Sequence, residues 1–173
     1  MNIKLLLIED ELLEAEEIVA SVKELFKNET VHHFEIEHLP GQGGEVTLRD
    51  RNYLFYNDSI IQDIQGRIDN CEKGTTIGLL LDVVLTEEEL DSKYKNFYPE
   101  VKVARKIYDA FQDKIPIYIV TSVPNFFTHS VKIMGVELSD QFILKDVLLK
   151  YRTQSTIKNF KDYFIEWGTE ANG

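Results

Sequence analysis

Five polar residues of this sequence stand where apolar runs end or break, and their types complement one another. Glu9 and Asp10 close the run 3–8, Asp82 interrupts the run 77–85, Thr121 ends the run 115–120 and Lys145 follows 142–144. If these runs are parallel strands of one sheet, all five side chains arrive at the carboxyl rim, where ligands bind in open α/β sheets. Three carboxylates on one rim repel one another and call for a cation. Oxygen ligands with the remaining positions left to water suit Mg²⁺, which typically takes one or two carboxylates plus phosphate oxygens. The hydroxyl of Thr121 and the ammonium of Lys145 are then left to hold an anion beside the metal. Two plainer readings compete. The acidic run 9–11 could favour the positive end of a following helix, and Asp82 could form a structural ion pair with Lys145, since a buried carboxylate without a partner is costly.

Stepping outward, the apolar spacing supplies elements able to position these groups. Residues 3–8 read as a buried strand. Leu12, Ala15, Ile18, Val22 and Leu25 then recur at helical spacing to about Lys27. Phe34 and Ile36 alternate with His33, Glu35 and Glu37 as a half-buried second strand, which the run 40–44 (Pro-Gly-Gln-Gly-Gly) breaks. An inserted hairpin is expected from 46–48 and 53–56 around Asp50-Arg51-Asn52, then a helix carrying Ile60, Ile61, Ile64 and Ile68 behind a cap at Asn57, Asp58 or Ser59. The run 77–85 reads as a central parallel strand broken only by Gly78 and Asp82. Residues 86–89 match a capping box. Pro99 stands at the start of a helix with Val101, Ala104, Ile107, Tyr108 and Phe111 as its apolar stripe. Residues 115–120 form a fourth strand, 125–134 a helix, 142–144 a short fifth strand, and 146–167 are helical with a break near 153–156. Five alternations of strand and helix argue a doubly wound α/β domain.

Composition narrows the classes. The chain has 173 residues, 43% of them apolar, enough for one sizeable core in one domain. Nineteen basic against thirty acidic residues leave a formal net charge of −11, which disfavours nucleic acid as a partner. No apolar run approaches a membrane span, and the N-terminus lacks the pattern of a signal peptide. The lone cysteine, Cys71, excludes an internal disulfide and fits a reducing compartment, so a cytoplasmic location is expected.

Four stretches carry a family resemblance: Leu5-Leu6-Leu7-Ile8-Glu9-Asp10-Glu11, Leu79-Leu80-Leu81-Asp82, Pro116-Ile117-Tyr118-Ile119-Val120-Thr121-Ser122 and Phe142-Ile143-Leu144-Lys145. In this order they resemble the motifs of two-component response-regulator receiver domains. The resemblance implies a flavodoxin-like five-stranded parallel sheet of order 2-1-3-4-5. It implies one receiver domain over residues 1–173, with insertions at about 40–57 and 86–98 and an extended C-terminal helix. It also implies roles. Asp82 accepts a phosphoryl group from a sensor histidine kinase or phosphotransfer protein. Asp10, with Glu9, holds Mg²⁺ alongside Asp82 and the backbone carbonyl of Val84. Thr121 and Lys145 contact the phosphoryl oxygens, and Thr121 with Phe142 makes the conformational switch. Output is expected through a protein partner, because too little chain follows Trp167 for a DNA-binding domain, and a homodimer is an open alternative.

The sequence departs from the family pattern where proline is usual, at Thr86 and Asp146, and in the two long insertions. Two rivals therefore stand beside the receiver reading. One is a receiver-like interaction module that does not use phosphorylation. The other is an aspartyl-phosphate hydrolase, which usually places a second aspartate two residues after the nucleophile, where this chain has Val84. His32, His33 and His38 invite a metal reading, but alternation puts His33 on the opposite strand face from the other two. The glycine run 41–44 lacks a dinucleotide fingerprint. Phe160, Tyr163, Phe164 and Trp167 read as packing residues, with an oligomer interface as the alternative.

Overall fold

The computed structural model describes residues 1–29, 31–83, 85, 102–121, 142–149 and 154–172. These residues form seven strands and five helices. The strands are β1 (Asn2–Ile8), β2 (His33–His38), β3 (Glu45–Leu48), β4 (Arg51–Leu54), β5 (Thr75–Leu81), β6 (Ile117–Thr121) and β7 (Phe142–Leu144). The helices are α1 (Leu12–Phe26), α2 (Ile60–Asp69), α3 (Lys102–Phe111), α4 (Lys145–Leu149) and α5 (Gln154–Asn172). Five strands make a sheet in the order β2-β1-β5-β6-β7, with every described pairing parallel, and β3 and β4 pair separately as an antiparallel hairpin.

The α/β class with a parallel sheet stands, while the strand count and numbered order differ from those expected. Seven strands replace five, and the sheet reads 2-1-5-6-7 along the chain, because β3 and β4 enter the numbering without joining the sheet. The hairpin itself is shifted. Its turn falls at Arg49-Asp50, both at positive φ (49° and 63°), so its second strand begins at Arg51 rather than at residue 53. Positive φ at both central residues is the two-residue turn whose twist suits flanking strands, and it is adopted here without glycine.

Alternation along the strands sends side chains to two cores. Leu6, Ile8, Leu79, Leu81, Ile117 and Ile119 face α2 and α3, meeting Ile60, Ile64, Ala104, Ile107 and Phe111. Ile3, Leu5, Leu7, Leu80, Tyr118 and Val120 face α1 and α5, meeting Ile18, Val22, Phe26, Phe160 and Phe164. With both faces covered, the central strands are apolar at nearly every position, as the sequence reads. Gly78 is one exception, and its reason is a close approach: a Cβ there would lie 2.6 Å from the ring of Phe164 on α5. The glycine run also serves packing, since a Cβ on Gly41 would lie 2.7 Å from the carbonyl of Phe55. The expected capping box at 86–89, Pro99 and Val101, and the helix 125–134 lie outside the described residues.

Candidate functional site

Pairing brings the acidic residues together. Ile8 of β1 lies beside Leu81 of β5, and the next backbone bond, from Asp82 N to Ile8 O at 2.9 Å, carries the pairing one residue further. Asp82 therefore follows its strand rather than sitting within it. Glu9, Asp10 and Asp82 are all buried, and one carboxylate oxygen of each lies within 4.8 Å of the others. Among the described residues these three form a group that could hold a metal ion.

Lys145 completes the cluster. It opens α4 rather than ending β7, and its side chain is 97% buried. Its Nζ lies 2.5 Å from Glu14 Oε2, 2.7 Å from Glu9 Oε2 and 3.7 Å from Asp82 Oδ2. Burial alone would pull the lysine pKa down, but Asp82, Glu9 and Glu14 together raise it well above its ordinary value. Glu9 moves the other way from a usual carboxylate. Burial, reinforced by the charge of Asp82, lifts its pKa to about 7 against the opposing pull of Lys145. One ammonium among four carboxylates leaves the pocket short of positive charge. Asp82 Oδ2 accepts no hydrogen bond among the described residues, an orphaned buried acceptor of the kind an ion satisfies. The donor set, hard carboxylate oxygens without nitrogen or sulfur, fits a hard divalent cation.

The β3–β4 hairpin closes against this rim. Leu54 N donates to Asp10 O at 2.7 Å, Glu11 bridges to Tyr53, and Arg51 grips both carboxylate oxygens of Glu11 at 2.9 and 3.0 Å. Beyond the hairpin, Tyr56 donates its hydroxyl to Leu39 O at 2.6 Å and lies 3.2 Å from Glu9 O. His38 Nε2 also reaches Glu9 O, at 2.8 Å. A carbonyl only accepts, so Nε2 of His38 carries the proton, and burial lowers the pKa of this ring. Glu14, Arg51 and Tyr56 are thus parts of the site that spacing alone did not single out, while His38, raised as a metal candidate, serves the site through a carbonyl instead. Glu14 lies on the first turn of α1, four residues after Asp10.

The other expected residues divide. Thr121 is buried at the end of β6, opposite Leu144, so it shares the rim with Lys145. Phe142 begins β7 opposite Ile119, and its side chain lies outside the described residues, as does Val84 altogether. Of His32, His33 and His38, only His38 adjoins the cluster, through the Glu9 carbonyl; His32 and His33 do not join it. Phe160 and Phe164 are core residues in edge-on contact with each other, and Phe160 also meets Tyr118 edge-on. No described helix is long and apolar enough to cross a membrane. No known protein family, curated protein or solved structure matches the chain.

Proposed function

We propose that this chain is a receiver domain of a two-component phosphorelay, a flavodoxin-like switch that takes a phosphoryl group on Asp82. The reading rests above all on one observation: a buried lysine side chain and three buried carboxylates converge at the carboxyl rim of a parallel sheet from the ends of three strands, β1, β5 and β7. A structural ion pair needs one carboxylate and one cation, and does not account for the excess of acid.

Glu9, Asp10 and Asp82 would hold Mg²⁺, which when bound supplies positive charge for the phosphoryl oxygens and a fixed geometry. An oxygen of Asp82 attacks phosphorus, and an O–P bond forms as the P–N bond of a phosphohistidine breaks. The electron pair leaves with the imidazole nitrogen, which takes a proton from water. Lys145 donates to a phosphoryl oxygen, and the Thr121 hydroxyl donates to another. Phosphoryl transfer depends mainly on such positioning and charge neutralisation. Nothing beyond the protein's own aspartate is turned over, so the chain is a phosphoacceptor and not an enzyme with an external substrate. The implied partners are a sensor histidine kinase or phosphotransfer protein upstream and a further protein downstream, in the cytoplasm. Output would run through Thr121 and Phe142, with a second copy of the chain as one form the downstream contact could take.

Intact-mass measurement with a small phosphodonor tests the reading. Wild-type protein should gain one phosphoryl mass only with Mg²⁺, and Asp82→Asn should gain none. An equal gain in Asp82→Asn would remove the assignment. One observation favours the phosphorylation-independent interaction module instead: the hairpin is fastened directly to Asp10 and Glu11, restraining the loop that must admit a donor. That reading expects no mass gain under any condition.

A further inference from the structure

The three carboxylates around Lys145 are not equivalent. Glu9 and Asp82 are fixed by the sheet and sealed from water, whereas Glu14 stands on the first turn of α1 with about a quarter of its side chain exposed. Yet Glu14 makes the shortest contact, 2.5 Å, and Asp82 the longest, 3.7 Å. The ammonium is therefore drawn toward the helix and away from the residue whose phosphoryl group it would serve. Among the described residues only Glu14 accepts a hydrogen bond from this ammonium, while Glu9 and Asp82 attract it as charges, so a phosphoryl group on Asp82 must draw Lys145 against the hold of Glu14. Of the three carboxylates Glu14 alone can turn out into solvent at little desolvation cost.

We propose that Glu14 is a positioning residue that holds Lys145 off Asp82, and that its release by an incoming phosphoryl group sets how readily the site is loaded. This rests on the receiver reading of Asp82 and deepens it. The pairing is reciprocal: while Lys145 is engaged by Glu14, its charge is partly spent, and the phosphoryl oxygens compete with a carboxylate already in place. In the loaded state Glu14 turns from Lys145 toward water on the first turn of α1, next to the exposed Leu13. Loading thus alters the α1 surface directly, without passing through β6 and β7.

The test measures phosphoryl uptake and beryllofluoride affinity, both with saturating Mg²⁺, in wild type, Glu14→Gln, Glu14→Asp and the same Glu14→Gln change in a Lys145→Gln background. Removing the competing charge should raise uptake and affinity by about 3- to 10-fold, the scale of one partly exposed ion pair. Glu14→Asp, which keeps the charge and shortens the reach, should rise less, and the gain should vanish without Lys145. Uptake in Glu14→Gln that equals or falls below an active wild type overturns the inference and leaves the receiver reading standing. A gain that persists in the Lys145→Gln background also overturns it, since the effect would then be general charge and not Lys145. No uptake by wild type and Glu14→Gln alike removes the receiver reading and this inference with it.

Discussion

Glu9 serves the site with both ends. Its carboxylate faces Lys145 and the other acids, while its carbonyl receives His38 and lies beside the Tyr56 hydroxyl. In metal-free protein its pKa is lifted from 4.5 to about 7, so the folded state binds this proton more tightly than the unfolded chain does. The associated stability is complete below about pH 4.5 and is lost as pH rises through about 7. Urea unfolding across that window should show a decline for wild type that Glu9→Gln flattens and that Mg²⁺ opposes. Tyr56→Phe should cost about 1–2 kcal/mol, because the buried carbonyl of Leu39 loses its donor; the urea midpoint should fall with no change in slope. Glu9, Asp10, Asp82 and Lys145 were legible because each ends or interrupts an apolar run, a position where a charge has no packing reason to be. Glu14 was less so. It lies among Glu16 and Glu17 on an acidic helix, and only the direction of α1 over the rim selects it. The supporting bonds of His38 and Tyr56 depend on which strand lies next to which, and spacing within one segment does not carry that.

At the level of elements, α5 and the hairpin each depend on one local feature. Phe164 fills the space that a side chain at Gly78 would occupy, so β5 and α5 approach to ring contact. Gly78→Val should displace α5 and cost about 1–3 kcal/mol, whereas Phe164→Ala should cost about 3–5 kcal/mol through the cavity it leaves. Equilibrium unfolding measures both, and a neutral Gly78→Val would show that α5 is not seated as described. The existence of the hairpin was readable from the break at 40–44 and the polar tip, but its register was not. Asp50-Arg51-Asn52 carries the stronger turn composition, yet the chain turns at Arg49-Asp50 because Tyr53 and Leu54 must come inward and Leu54 N must reach Asp10. A long-range bond at the rim decides the register, and local propensity yields. The glycine that marks α5 in β5 was visible as an interruption, though not its occupant, which lies some 86 residues further along the chain.

Across the whole molecule, the two cores differ in kind. The side under α2 and α3 is mostly aliphatic, whereas the side under α1 and α5 gathers Phe26, Phe34, Tyr118, Phe160, Tyr163 and Phe164 into ring contacts. The alternating apolar pattern made the two-faced sheet legible, since strands buried on both sides need few polar residues. With a net charge of −11 and acid concentrated at one rim, Mg²⁺ binding should stabilise the entire fold through mass action. At a hundredfold excess over Kd the gain is about 3 kcal/mol. A thermal scan with Mg²⁺ and then excess chelator should show the rise and its reversal, and Asp10→Ala should blunt it. The single tryptophan stands far from these events. Trp167 lines a hollow with Thr75, Thr76, Ile77, Lys114 and Ile115, at the end of β5 where the strand begins, whereas Asp82 follows the other end, roughly 23 Å away at the rise of a strand. Its emission therefore tracks the melting of α5 and stays dark to loading of the rim. Fluorescence titrations with cation or beryllofluoride will read flat even in a fully responsive protein, and watching the site optically requires a dye placed at the hairpin tip, where Asp50 is exposed.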